Sequence, residues 1–433
     1  MCGFLFFAAT LSWCGYVTWP GAILLIAFLA LYFACFGMLF VYFQRLPLIP
    51  RILVLSSAWV ALEFIRAHLF SGFGWVMLGH SQYKNIWLIQ IADKTGVYGV
   101  SFLVILVNLL IFETWRARAF YHRANVMVIA ILSMALIYGW WVTGQKKFDQ
   151  VVKVGIVQPN IPLAIDWDEE QKPSIIAKTI QLTQKLKDQK LDLIVWPETS
   201  LPGKIDDDPL INEEIQAVAL SLHTPILIGS VAKEAEAYYN SAFLIGSDGQ
   251  FLGRYDKIHL VPFGEYLPLR PVLGWINKFV ELDDFTPGKT YKIFSTTASS
   301  SKHFAVLICF EDTMGDLRRH FAKDGADFFV NMTNDAWFKD GKAPFLHLQA
   351  AVFGCVENHR SLARAANTGV SALIDPWGRI IATVIDGHGK KTFIDGVAWG
   401  QLPLNQEKTF YTKYGDIFTY LCFLCILVAA ALI

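Results

Sequence analysis

The sequence predicts two joined architectures, an α-helical transmembrane bundle and an extramembrane α+β domain of layered sheets and helices. Three observations predict them. Of 433 residues, 54% are hydrophobic and the mean hydropathy is +0.40, too apolar for an ordinary soluble chain. Long apolar runs occupy the two ends of the chain. Between them, from residue 151 to about 410, short strand-like runs alternate with amphipathic stretches.

The amino-terminal part holds five apolar runs, at about 3 to 19, 21 to 43, 51 to 70, 96 to 115 and 125 to 143, and a sixth closes the chain at about 415 to 433. Each approaches the roughly 20 residues that cross a hydrocarbon core as a helix. The first lacks the basic flank of a secretory signal and leads straight into the second, so it reads as a span. The expected division is a membrane domain over 1–150, an extramembrane domain over 151–410 and a terminal transmembrane helix over 411–433.

Lysine and arginine gather in cytoplasmic loops. Arg45 and Arg51 lie between the second and third runs, and Arg116, Arg118 and Arg123 between the fourth and fifth. These loops share one side, which makes the amino terminus cytoplasmic and puts the 151–410 domain outside. Within the third run Glu63 and Arg66 are spaced to meet on one helical face, as ionisable groups in lipid must pair or face a wet cavity.

Basic and acidic residues both total 37, and no basic stretch studded with aromatics appears, which argues against nucleic acid as a partner. Five of seven cysteines fall in apolar runs and read as small buried hydrophobes. Cys422 and Cys425 lack the second pair a zinc site needs, so neither a metal nor another cofactor is expected. Cys309 and Cys355 remain, with a bridge between them as one option.

In the middle domain, "VKVGIVQPN", "LDLIVWPET", "TPILIGS", "FAVLICF" and "ADFFVNMTND" read as strands ending in polar or turn residues. Residues from about 171 to 190 and from 346 to 366 read as helices, with Pro173 tolerated in a first turn. "GSDGQ" reads as a hairpin and "DPWGR" as a turn.

Three groups stand out at strand ends or in a loop: Glu198 after "LIVWP", Lys257 in "GRYDKIHLVPFGEY", and Cys309 after "FAVLI". Converging there, they would supply a base, a cation and a nucleophile. Singly, each has another reading: a helix cap, a solvated lysine and a core thiol.

Together, "WPET", "DKIHLVPFGEY", "ICFED" and "NDAWF" resemble the carbon-nitrogen hydrolase (nitrilase) superfamily. With flanking spans and "VQPNIPLAIDWD", the chain is similar to that superfamily's membrane-embedded apolipoprotein N-acyltransferases. The resemblance implies a nitrilase-like αββα sandwich and a Glu198, Lys257, Cys309 triad. It implies Glu265 as a further carboxylate orienting Lys257 or the thiol, and Trp167 and Trp337 along the substrate path. The chain departs from the family in showing six runs where eight spans are usual, Phe310 where tyrosine is common, and Lys339 where glycine is usual.

The implied reaction is acyl transfer from a phospholipid through a Cys309 thioester to the α-amino group of a diacylglyceryl-cysteine at an apolipoprotein's amino terminus, at the outer face of a bacterial inner membrane. Glu198 would take the thiol proton while Lys257 and the Phe310 backbone N–H receive the oxyanion. Glu311 would share the face of Cys309 if the strand ran on past it, but not if the chain turns there. The segment 262–284, with Leu267, Leu269 and Trp275, suggests a lid at the membrane surface or a buried structural arm. A membrane-anchored amidase passing the acyl group to water is the enzyme alternative.

Overall fold

Apolar runs long enough to cross a membrane fold as helices at Trp19–Arg45, Leu48–His68, Val97–Ala117 and His122–Gly144, four among the described residues. The structure, a computed structural model, describes residues 1–118, 120–145, 148–163, 169–201, 209–268, 270–273, 284–296 and 302–433. The first and sixth apolar runs make shorter helices than expected. Cys2–Leu11 tightens into a 3-10 turn at Ser12–Tyr16, and Ile417–Ala431 has 15 residues. At 1.5 Å per residue the latter is about 22 Å long, less than the roughly 30 Å of a hydrocarbon core. Gly415, at φ +67°, and Asp416 set its late start.

Glu63 and Arg66 do not form the expected ion pair. Glu63 Oε1 accepts from the Leu78 backbone N–H at 2.8 Å, and Arg66 Nη2 donates to the Val76 carbonyl at 3.4 Å while its guanidinium lies over the Phe7 ring. Both buried side chains therefore fasten the loop after Leu48–His68, satisfying backbone groups that would otherwise be stranded.

Among the described residues, the middle of the chain forms two six-stranded sheets. The first contains β1 (Val151–Gln158), β2 (Leu193–Val195), β3 (Ile226–Glu234), β4 (Ala237–Ile245), β5 (Phe251–Asp256) and β12 (Gly396–Pro403), in the order β12-β1-β2-β3-β4-β5. The second contains β6 (Ile293–Ser295), β7 (His303–Ile308), β8 (Phe328–Thr333), β9 (Ser361–Ala366), β10 (Ala372–Ile374) and β11 (Ile380–Thr383), in the order β11-β10-β9-β8-β7-β6. The β1, β2, β3 and β7, β8, β9 centres are parallel and buried, which is why they read as nearly continuous apolar runs.

Alternation along the strands sets the layers. Val154, Ile156, Leu193, Val195 and Leu227 join a core with Phe304, Val306 and Val330 of the other sheet. Their neighbours Val157, Ile194, Ile226 and Ile228 belong to a second cluster with Ile176 and Leu182 of helix Lys172–Gln184 and Ile215 and Ala219 of helix Pro209–Leu222. Helices Gly315–Lys323 and Ala343–Asn358 pack Leu317, Phe321, Leu348 and Val352 into the shared core from the second sheet. The result is the expected αββα order.

The "GSDGQ" hairpin joins β4 to β5, and "DPWGR" turns β10 into β11. The expected helix over 346–366 is corrected: it ends at Asn358, His359 adopts φ +48°, and residues 361–366 pair as β9 between β8 and β10. "SLARAA" has helix-forming composition, but its place between two strands overrides that preference.

Glu357 couples the two parts of the chain. Its Oε1 accepts from the Val97 N–H, at the start of a membrane helix, and its Oε2 lies 3.0 Å from Arg318 Nη2. A carboxylate suits the positive end of a helix dipole.

Candidate active site

β7 ends abruptly at Ile308, and the next residue, Cys309, sits at φ +53° to open the 3-10 turn Cys309–Thr313. A non-glycine residue in this region carries about 1–2 kcal/mol of strain. The turn withdraws the Cys309 backbone from the strand ladder, and its carbonyl accepts from Asn331 Nδ2 at 3.1 Å and from His347 Nε2 at 3.2 Å.

Glu198 follows β2 through Trp196 and Pro197, and its loop rests against β3 at Gly229. A Cβ on Gly229 would come within 2.5 Å of the Pro197 carbonyl oxygen and 2.7 Å of Glu198 Cα, so glycine permits the approach. Glu198 Oε1 accepts from Asn240 Nδ2 at 2.8 Å and lies 3.5 Å from Lys257 Nζ, while Oε2 accepts from the Asn334 N–H at 2.9 Å. Lys257, just after β5, is 1% exposed and donates to Glu265 Oε1 at 2.8 Å. Asn240 bridges both acids, because Nδ2 also donates to Glu265 Oε1 at 2.8 Å. Glu265 Oε2 accepts from the Val261 N–H, which fixes the carboxylate from the other side.

The three expected groups form one electrostatic unit. Burial, then the negative charge of Glu198, pushes the Cys309 thiol well above the ordinary thiol range, with Lys257 and a hydrogen bond from Thr333 opposing. Burial also raises Glu198, with Lys257 resisting and Glu265 adding to the rise. For Lys257, burial opposes the charge, but Glu265, Glu198 and Cys309 outweigh it and hold the ammonium protonated far above neutrality. The resting arrangement is a neutral thiol and a firmly charged cation beside a carboxylate of raised affinity for a proton.

Glu311 turns away from the thiol because the chain bends at Cys309. Its Oε1 accepts from the N–H groups of Ile258 and His259 at 2.8 and 3.0 Å, its Oε2 accepts from the Ile308 N–H at 2.8 Å, and Tyr255 donates its hydroxyl to both oxygens. It thereby locks the Lys257 loop to the Cys309 turn. Burial lifts the Glu311 carboxyl to about 7, against these hydrogen bonds.

Phe310 carries an N–H with no hydrogen-bond partner among the described residues. Its ring packs in a cluster with Phe7, Leu11, Trp13 and Trp75 from the membrane part of the chain. Trp337 is 48% exposed on the turn Asp335–Phe338, whereas Trp167 lies outside the described residues. Lys339 takes φ +49°, the conformation that makes glycine usual there, and its ammonium lies over the Tyr16 ring. Of the expected lid, Leu267 is buried, and 269 and 274–283 lie outside the described residues. Cys309 and Cys355 are free thiols, not a bridge, Cys355 being buried on helix Ala343–Asn358.

Beneath the turn is a charge cluster that sequence reading missed. Arg364 Nη1 donates to Asp312 Oδ2 at 2.9 Å and to Asn331 Oδ1, and Nη2 lies 3.3 Å from Asp335 Oδ2 and 2.8 Å from His347 Nδ1. His347 Nε2 lies 2.7 Å from Asp312 Oδ1. All four ionisable side chains are fully buried. The one available signal was an arginine inside the apolar run "SLARAA", which must find partners if buried.

A carbon-nitrogen hydrolase family model matches residues 153–401, and a model for the apolipoprotein N-acyltransferase N-terminal domain matches residues 1–110. The chain belongs to the carbon-nitrogen hydrolase family, on the evidence of a match over more than half its length. Apolipoprotein N-acyltransferase of Geobacter metallireducens is 37% identical over 390 residues, 86% of this chain and 72% of that one. The Methylococcus capsulatus protein of the same name is 34% identical, over 83% of this chain and 71% of that one. Within the family, then, the chain falls among the apolipoprotein N-acyltransferases. A solved amidase of the nitrilase superfamily from Nesterenkonia AN1 aligns at 15% identity and TM-score 0.45, over 62% of this chain and 96% of its own.

Proposed function

We propose that this chain transfers an acyl group from a phospholipid to the α-amino group of the diacylglyceryl-cysteine at an apolipoprotein's amino terminus, in a bacterial inner membrane with the αββα domain on the periplasmic side. The observation that carries this reading is the unit of buried Glu198 and Lys257 with half-buried Cys309, set on a turn whose next residue, Phe310, packs in a cluster with aromatics from the membrane part of the chain. Lipid esters reach such a turn from the bilayer, and an apolar approach keeps water from an acylated sulfur.

Cys309 attacks the ester carbonyl as Glu198 takes the thiol proton, so no resting thiolate is required. Charge develops on the carbonyl oxygen, where Lys257 Nζ and the Phe310 N–H provide the donors. Collapse breaks the ester C–O bond, and Glu198 returns its proton to the departing lysophospholipid oxygen. In the second half the acceptor amine, free of its extra proton, attacks the thioester. Glu198 takes a proton from the nitrogen as the C–S bond breaks, and that proton restores the thiol. Lys257 keeps its proton throughout, because Glu265 holds it charged.

Intact-mass measurement after incubation with phospholipid tests the scheme. Wild-type protein should gain one acyl mass, removable by hydroxylamine and discharged by a diacylglyceryl peptide, and Cys309→Ala should gain none. An unmodified wild type that releases free fatty acid would favour hydrolysis instead.

A further inference from the structure

We propose that His68, Asp316 and Asp416 bind a first-row divalent cation, Zn2+ by the chemistry of the donors, clamping the end of membrane helix Leu48–His68 to the helix that follows the nucleophile turn. One nitrogen of His68 and one carboxylate oxygen from each acid lie within 4.8 Å of one another. His68 Nε2 is 3.4 Å from Asp316 Oδ2.

Each donor is prepared differently. His68 Nδ1 lies 2.8 Å from the Phe64 carbonyl oxygen, a bond it makes by donating, and this leaves the lone pair of the neutral imidazole on Nε2, facing the acids. The ring stacks on Phe64 with centroids 4.0 Å apart, which holds its plane. Asp316, at the start of Gly315–Lys323, turns Oδ1 toward Arg319 Nη2 at 3.5 Å and Oδ2 toward His68.

Asp416 supplies the independent observation. It is 6% exposed, and among the described residues its side chain has no hydrogen-bond partner, with Oδ1 wholly buried. It occupies the N-cap of Ile417–Ala431, where an aspartate ordinarily accepts from the first turn, yet it makes no cap bond. A buried carboxylate without a partner is costly, and a cation held with His68 and Asp316 would supply one. Two carboxylates against the single Arg319 guanidinium leave the cluster with net negative charge. One imidazole and two carboxylates with a remaining open position match the donors and coordination of Zn2+. His68 and Asp316 are 39% and 56% exposed at the side chain, which gives the ion a way in.

Full-length protein in detergent, stripped with chelator and dialysed against Zn2+, tests the site by elemental analysis and thermal melting. One zinc per chain is expected, unchanged in Cys309→Ala, weakened roughly tenfold or more in Asp416→Asn and His68→Gln, with a zinc-dependent rise in Tm in wild type that Asp416→Asn lacks. Equal zinc binding by wild type and both variants, or none by wild type, overturns the proposal. Stripped Asp416→Asn should melt no lower than stripped wild type, since it replaces an unpartnered carboxylate with a neutral amide. A lower Tm would mean that Asp416 serves a protein partner, and the site would then be rejected.

Discussion

Lys257 Nζ lies 2.8 Å from Glu265 Oε1, closer than its 3.5 Å separation from Glu198 Oε1. Glu265 thus anchors the cation and leaves Glu198 less tightly paired, which suits the proton-accepting role proposed for it. Glu265→Gln removes the anchor and one negative charge, so Lys257 should close on Glu198 and lower its pKa. The expected outcome is a fall in kcat of about 10²-fold with the acid limb of the pH profile moved downward.

With Glu198 as the proposed base, Glu198 itself should set that limb in wild type. A general base must be ionised, and burial raises Glu198 above the ordinary glutamate value of about 4.3. Acylation of Cys309 should therefore rise with pH through a point above that value, followed by intact mass in single-turnover reactions. Glu198→Gln should lose about 10² to 10⁴ in the acylation rate and lose the limb as well.

Asn240 donates to both carboxylates through one nitrogen. Asn240→Asp would place a third acid between them, disfavouring ionisation of Glu198 by like charge. Its acid limb should move upward, opposite in sign to Glu265→Gln. Opposite shifts in parallel pH profiles would separate this electrostatic account from simple damage to the site.

Gly229 tests how finely Glu198 is placed. Alanine there would push the 197–198 backbone away from β3, because its Cβ falls within 2.7 Å of Glu198 Cα. Overpacking of this kind costs about 1–3 kcal/mol of stability, and a misplacement of about 1 Å in a catalytic group costs about 10²-fold in rate. Gly229→Ala should fold, melt somewhat lower, and acylate Cys309 far more slowly.

Glu311 makes stability depend on pH. Its folded pKa, about 7, exceeds the unfolded value near 4.3, so the native state holds the proton more tightly. The contribution is fully present below about pH 4.3 and is lost as pH rises through 7. Glu311→Gln should remove this trend from a series of pH-dependent melts. It should also cost about 1–3 kcal/mol, since an amide nitrogen cannot accept from the Ile308 N–H.

Much of this site was legible because its residues lie where buried strands end. Glu198 and Cys309 follow apolar runs that could be little other than strands, and Lys257 follows a hairpin announced by "GSDGQ". Glu311 was legible as a carboxylate but not as a lock between two loops, since its direction depends on the bend at Cys309. Asn240 and His347 gave no comparable signal, and Arg364 gave only that of an arginine in an apolar run. Their polarity becomes informative only once the sheets show that they are buried, and their partners lie far away in sequence.

The packing of Phe310 against the cluster that holds Phe7, Trp13 and Trp75 has a bearing on how the enzyme can be handled. A fragment cut free of its bilayer helices would present an uncovered greasy face beside the Cys309 sulfur, inviting self-association and letting solvent reach any acyl adduct proposed to form there. Anchorage and chemistry are therefore not separable modules here, and amphiphile choice during purification should change turnover as well as solubility.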